Sequence, residues 1–168
     1  LMDNELEYLS NMDLQNNKLV LLLGGAKVST KLEMIKHFFN KANYILIGGA
    51  MSFTFLKAAG YDVGKSLIEE SMIEEAKLIL NKSLEGNTKI ILPVDIVCGN
   101  KISNDSTSIT KNIGEIKNND IGLDIGSKTT AQFIDYIRKT HIVIWNGPMG
   151  IFEIELFKVG TDTIAYEI

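Results

Sequence analysis

Lys27 and Lys31 are the residues whose type and spacing most directly suggest chemistry. They stand four apart, just after Gly24-Gly25-Ala26, where a helix is expected to start. A helix start offers unpaired N–H groups and the positive end of a dipole, a setting that favours an anion and gives a lysine nothing. A phosphate placed there would gain from the helix and from both ammonium groups. One face carries both lysines if the helix begins near Val28; two solvated surface lysines would read the same way in the sequence. Two more glycine turns, Gly48-Gly49-Ala50-Met51 and Asn146-Gly147-Pro148-Met149-Gly150, repeat the context. Glycine lets a backbone approach a ligand and expose its N–H groups, although an α/β fold needs tight turns in any case.

Other chemistry-bearing residues have weaker patterns. Glu153 and Glu155 follow the Gly150 turn and offer carboxylates to ribose hydroxyls or simply to solvent. Asp95 and Asp124 sit where strands give way to turns and read as turn formers. His37 and His141 lack the partners that metal or triad chemistry needs. Cys98 lies in an apolar run and reads as core, and Trp145 reads as packing. Gly60-Tyr61-Asp62-Val63-Gly64-Lys65-Ser66 imitates a phosphate loop, but Ala59 stands where its first glycine belongs and the segment follows a helix, not a strand. No Gly-x-Gly-x-x-Gly occurs, so the dinucleotide fingerprint is absent.

The elements that must position these groups alternate. Leu19–Leu23 and Tyr44–Ile47 are short unbroken apolar runs, the pattern of strands buried on both faces, and each ends in Gly-Gly. Residues 89–92 and 141–145 are expected to join the same sheet. Leu32, Ile35 and Phe39 mark a helix after the first strand, residues 52–59 a second, and Ile68, Met72, Ala76, Ile79 and Leu80 one face of a third. Pro93 splits the apolar stretch 89–98, since proline cannot serve a central ladder. The polar stretch 101–119 reads as an edge hairpin or a long loop. Ser127 is expected to cap a helix carrying Thr130, Ile134 and Ile137. Residues 1–14 also have helical spacing. Strand, glycine turn and helix in alternation predict an α/β fold, a Rossmann-like three-layer αβα arrangement with a mostly parallel central sheet. Ligands then bind beyond the C-terminal strand ends.

Composition narrows the rest. The 168 residues fit one domain, with 45% hydrophobic residues to build a core and 23% charged. The net charge is −4 and the basic residues form no run, which speaks against nucleic-acid or membrane partners. One cysteine cannot form an internal disulfide, and no apolar stretch approaches the length of a membrane span. No repeat or interdomain linker is visible. The chain opens Leu1-Met2-Asp3 and stops at Ile168 inside a helical pattern, so both ends look cut.

Taken together, Leu22-Leu23-Gly24-Gly25-Ala26-Lys27-Val28-Ser29-Thr30-Lys31, Ile47-Gly48-Gly49-Ala50-Met51-Ser52-Phe53-Thr54-Phe55-Leu56, Gly64-Lys65-Ser66-Leu67, Leu92-Pro93-Val94-Asp95, Gly122-Leu123-Asp124-Ile125-Gly126 and Trp145-Asn146-Gly147-Pro148-Met149-Gly150-Ile151-Phe152-Glu153 resemble, in order, the nucleotide side of the phosphoglycerate kinases. The resemblance implies a cytoplasmic, monomeric glycolytic transferase of two domains. Residues 1–168 would be its C-terminal nucleotide-binding domain, incomplete. An absent N-terminal domain would take the phosphoglycerate, and an absent tail would carry the Gly-Gly-Asp motif that holds Mg2+ with ADP/ATP. The resemblance implies Lys31 on the nucleotide phosphates and Lys27 on the transferring phosphoryl. It places Gly25, Ala26, Gly48 and Gly49 by the nucleotide, Gly122, Leu123, Pro148 and Ile151 around the adenine, Asn146 near the phosphates and Glu153 on the ribose. No protein metal ligand falls within the chain. Two departures touch the adenine side: the Trp usual before Gly122 is missing, and Ser127 replaces a usual proline. The reading that follows is the ADP/ATP-binding part of a phosphoglycerate kinase, inactive as a fragment. A non-catalytic nucleotide-sensing or scaffold module and a dehydrogenase-type dinucleotide domain are the alternatives.

Overall fold

The computed structural model describes residues 17–168, so the helical pattern of residues 1–14 lies outside the described residues. Strand β1, Leu19–Leu23, is fully buried along its length. Its alternating side chains serve opposite faces, as a strand's two-residue period requires. Leu19, Leu21 and Leu23 enter one core cluster, and Val20 and Leu22 enter another. Strand β2 (Tyr44–Ile47), strand β3 (Lys89–Ile91) and strand β7 (Ile142–Asn146) join β1 in a parallel sheet of order β3-β2-β1-β7. Helices α1 (Leu32–Phe38), α2 (Met51–Ala58) and α3 (Ile73–Glu85) cover one face through Ile35, Phe38, Phe55, Ala76 and Ile79. Helices α4 (Ser127–Arg138) and α5 (Val159–Glu167) cover the other through Phe133, Ile137 and Ile164. The expected three-layer αβα arrangement is thus present.

Pro93 separates two sheets. Beyond it, β4 (Asp95–Gly99) pairs antiparallel with β5 (Ser108–Asn112) and β6 (Ile121–Ile125) in the order β5-β4-β6. The polar stretch 101–119 therefore contains the outer strand of a hairpin, mostly exposed. This small sheet carries its own core of Phe53, Leu56, Val63, Ile96, Cys98 and Ile116. Alternation of strand and helix did not foretell it, because β4 and β6 are short buried runs that periodicity cannot orient.

Three local expectations need correction. Helix α1 begins at Leu32, not near Val28. The Val28 side chain is fully buried, and the chain turns there, with the Lys31 N–H on the Val28 carbonyl at 2.9 Å. Lys27 thus precedes the helix and Lys31 is its cap residue, so the two do not share a helix face. Ile68 lies before α3, whose helical part follows the short 3-10 turn Glu70–Met72; it packs on the small-sheet core instead. Ser127 is the first residue of α4 and makes no side-chain cap.

Asp95 does that capping from β4. Its carboxylate accepts the Thr129 N–H at 2.8 Å, the Lys128 N–H at 3.1 Å and the Thr129 hydroxyl at 2.6 Å, with Asp95 only 1% exposed. The helix start neutralises the buried charge and the carboxylate satisfies the helix's free donors. Asp95→Ala strands those donors and should lower the unfolding free energy by about 2–3 kcal/mol. Urea denaturation would show this as a lower midpoint at unchanged slope; an unmoved midpoint would refute the capping role.

Candidate functional site

The three glycine turns meet at the C-terminal ends of β1, β2 and β7. The Gly25 N–H donates to the Pro148 carbonyl at 2.9 Å, Gly49 N–H to Met149 at 2.9 Å, and Met51 N–H to Gly25 at 2.9 Å. Backbones this close leave no room for side chains. A Cβ on Gly24 would lie 2.7 Å from the Gly147 carbonyl oxygen, and one on Gly49 2.7 Å from that of Gly25. Gly25, Gly49 and Gly147 also have φ of 97°, 61° and 91°, a region that favours glycine. Gly25 alone of these has open space where a Cβ would go.

That open space is a cavity of about 480 Å³ between the sheet ends and β6. Its walls are Gly25, Ala26, Gly49 and Ala50 from the first two turns, Gly122 and Leu123 from β6, and Pro148, Met149 and Ile151 from the third turn. Phe53 and Ile96 also line it, Leu67, Ile102 and Phe152 contribute exposed apolar side chains, and Lys65 and Glu153 add charges. Gly122 is required where it stands, because a Cβ there would overlap the Phe53 ring. The Ser66 hydroxyl accepts the Gly122 N–H at 2.9 Å, so the phosphate-loop lookalike is a brace for this wall.

The charged part lies beside Pro148. The Lys31 ammonium donates to the Asn146 side-chain carbonyl at the end of β7. Lys27 is exposed on the loop before α1. The Trp145 indole N–H donates to the Gly147 carbonyl at 2.6 Å. The described residues gather no group of three or more His, Cys, Asp or Glu side chains.

Asp124 stands behind the third turn. Its carboxylate accepts the Gly160 N–H at 2.7 Å and the Ile125 N–H at 2.8 Å, with Gly150 pressed against it. Burial pushes its pKa up to about 7 against those two N–H groups, and Asp162 adds repulsion. Burial likewise pushes the Cys98 thiol to about 11, which fits a packing role for that residue.

A sequence profile of the family described as Phosphoglycerate kinase matches residues 1–168. The chain belongs to the phosphoglycerate kinase family. It is 44% identical over 166 residues to a phosphoglycerate kinase of Chlorobium chlorochromatii and 46% identical over 170 residues to one of Thermosipho africanus, covering 98% and 100% of this chain. It spans 42% of the length of each of these relatives. The solved phosphoglycerate kinase of Coxiella burnetii superposes with a TM-score of 0.91 at 37% identity, over 99% of this chain and 43% of the other.

Of the motif residues that the resemblance to phosphoglycerate kinases singled out, Gly25, Ala26, Gly49, Gly122, Leu123, Pro148, Ile151 and Glu153 line the cavity. Lys27, Lys31 and Asn146 do not line it; they flank it on the loop and at the strand end. Gly48 lies behind the wall, where a Cβ would meet the Met149 sulfur at 2.5 Å. Sequence reasoning missed Phe53, Lys65 and Asp124 as cavity residues. Phe53 had one usable signal: it lies in a glycine-turn motif on a face that the main-sheet pattern does not need.

The Asp124 shift has a measurable sign. The folded protein holds the carboxyl proton up to about pH 7, against 3.8 for the ordinary group. The stability this contributes is complete below about pH 4 and is lost as pH rises through 7. Asp124→Asn should flatten the fall in urea midpoint across that window; parallel profiles for the two proteins would contradict the assignment.

Proposed function

We propose that this chain is the ADP/ATP-binding part of a phosphoglycerate kinase, which moves a phosphoryl group between 1,3-bisphosphoglycerate and ADP in glycolysis. The observation that carries the reading is a largely apolar cavity at the parallel strand ends with lysines at one flank. Aliphatic walls and bare glycine backbone suit a flat base, with Gly25, Ala26, Gly49, Gly122, Leu123, Pro148 and Ile151 among the lining residues. Glu153 at the rim suits ribose hydroxyls. Lys31, parked on Asn146, suits the nucleotide phosphates, and Lys27 suits the phosphoryl in flight.

In the direction of ATP synthesis, an oxygen of the ADP β-phosphate attacks the phosphorus of the acyl phosphate. The bond from phosphorus to the acyl oxygen breaks, and 3-phosphoglycerate leaves as a carboxylate. No covalent protein intermediate is needed. Positioning and neutralisation of charge do most of the catalysis in such a transfer, which suits a site of lysines and backbone N–H groups. Magnesium arriving with the nucleotide would add further neutralisation. We assign the phosphoglycerate to a separate N-terminal domain and the metal-binding Asp to a segment beyond these residues.

Two outcomes are expected. Lys31→Ala should weaken ADP binding roughly 10- to 150-fold, the loss of a charge-assisted contact worth about 1.5–3 kcal/mol. Titration calorimetry on the whole enzyme decides it, and unchanged affinity would remove Lys31 from the site. The 168-residue chain by itself should form no ATP from 1,3-bisphosphoglycerate, because transfer needs the reactants within about 3–3.5 Å and one binding surface is lacking. A coupled assay with turnover of roughly 1–100 s⁻¹ would overturn the two-domain mechanism.

A further inference from the structure

We propose that Glu69 is a positioning residue that holds the lysine-bearing segment 26–31 in place by accepting the Ser29 backbone N–H. The proposal rests on the reading of Lys27 and Lys31 as phosphate ligands.

The segment is poorly supported by its own residues. Ala26, Lys27, Ser29 and Thr30 are exposed, and Val28 alone anchors it in the core. Helix α1 has no side-chain cap at Lys31. Among the described residues, Glu69 and Asn146 are the hydrogen-bond partners that reach the segment from elsewhere in the fold. Asn146 holds only the tip of a lysine. Glu69 holds the backbone: its carboxylate accepts the Ser29 N–H at 3.0 Å across 40 residues of sequence.

Glu69 is itself fixed. Its N–H donates at 3.0 Å to the hydroxyl of Thr54, which is fully buried on α2. Helix α2 begins at Met51, whose N–H is bonded to the Gly25 carbonyl. A closed circuit therefore runs from the first glycine turn through α2 and Glu69 back to the lysine segment. Burial works to raise the Glu69 carboxyl, and the hydrogen bonds from Ser29 and Val28, with the Lys27 ammonium nearby, outweigh it and hold its pKa below the ordinary value. Ordering the lysines before the phosphate arrives lowers the entropy lost on binding.

The test uses ADP as probe and compares Glu69→Ala, Glu69→Gln and Glu69→Asp with Lys31→Ala. Calorimetry reads ADP affinity in the whole enzyme, and amide hydrogen exchange reads protection of Ser29. Glu69→Ala should weaken ADP roughly 3- to 10-fold and speed Ser29 exchange about tenfold or more, the loss of one charge-assisted hydrogen bond. Glu69→Gln keeps an acceptor on the same arm without the charge and should fall between the native protein and Glu69→Ala on both counts. Glu69→Asp keeps the charge on a shorter arm and should behave as Ala does, which preserves the comparison if the Ala variant fails to fold. Glu69→Gln as poor as Ala, or Ser29 protection unchanged in Ala and Asp, overturns the proposal. If Lys31→Ala leaves ADP binding intact, the phosphate site itself is misassigned, while the exchange data still decide whether Glu69 orders the segment.

Discussion

Everything at the candidate site depends on three backbone turns approaching more closely than side chains permit. Gly24, Gly49 and Gly147 sit where any Cβ would overlap a carbonyl of the neighbouring turn. The hydrogen bonds from Gly25 to Pro148 and from Gly49 to Met149 then lock β1, β2 and β7 at a common level. This contact forms the floor of the cavity and, through the Met51 N–H on the Gly25 carbonyl, sets where α2 starts. It also explains why the glycines are bare: most are silent about ligands and speak only of packing. Gly25 differs, because its missing side chain leaves space that the cavity uses.

The second, antiparallel sheet closes the cavity from the far side, and two buried carboxylates fix how it docks. Asp95 ties β4 to the start of α4, and Asp124 ties β6 to the start of α5. Their environments differ in kind. Asp95 has three donors aimed at it, whereas Asp124 has two and repulsion from Asp162. Asp124, held by fewer donors, changes charge near neutrality. The wall that Asp124 supports is the loop holding Ile151 and Glu153.

The main sheet was legible because β1 and β2 are continuous apolar runs ending in Gly-Gly, a pattern with few other uses. The cavity walls were legible through motif resemblance, which carries spatial information that spacing alone lacks. The small sheet was only partly legible: the polar stretch 101–119 allowed an edge hairpin, which β4 and β5 form, but the pairing of β4 with β6 joins runs on either side of that stretch and left no local signal. The start of α1 was misplaced because helical periodicity in Leu32, Ile35 and Phe39 says nothing about the turn before it. Burial of Val28 decided that turn, and burial of one valine is a tertiary fact. The roles of Asp95, Glu69 and Ser66 were invisible for the same reason: each acts on a backbone group tens of residues away.

The chain has one tryptophan, and it stands at the end of β7 with its indole N–H on the Gly147 carbonyl. Indole emission is sensitive to that hydrogen bond and to the polarity around the ring. The native fluorescence of the chain is therefore a single-position optical report on the turn that joins Asn146 to Pro148. A movement of Gly147 by a fraction of an ångström changes the length of this bond before it changes anything in the secondary structure. The fold has placed its own chromophore between the lysine-bearing flank and the turn that walls the cavity.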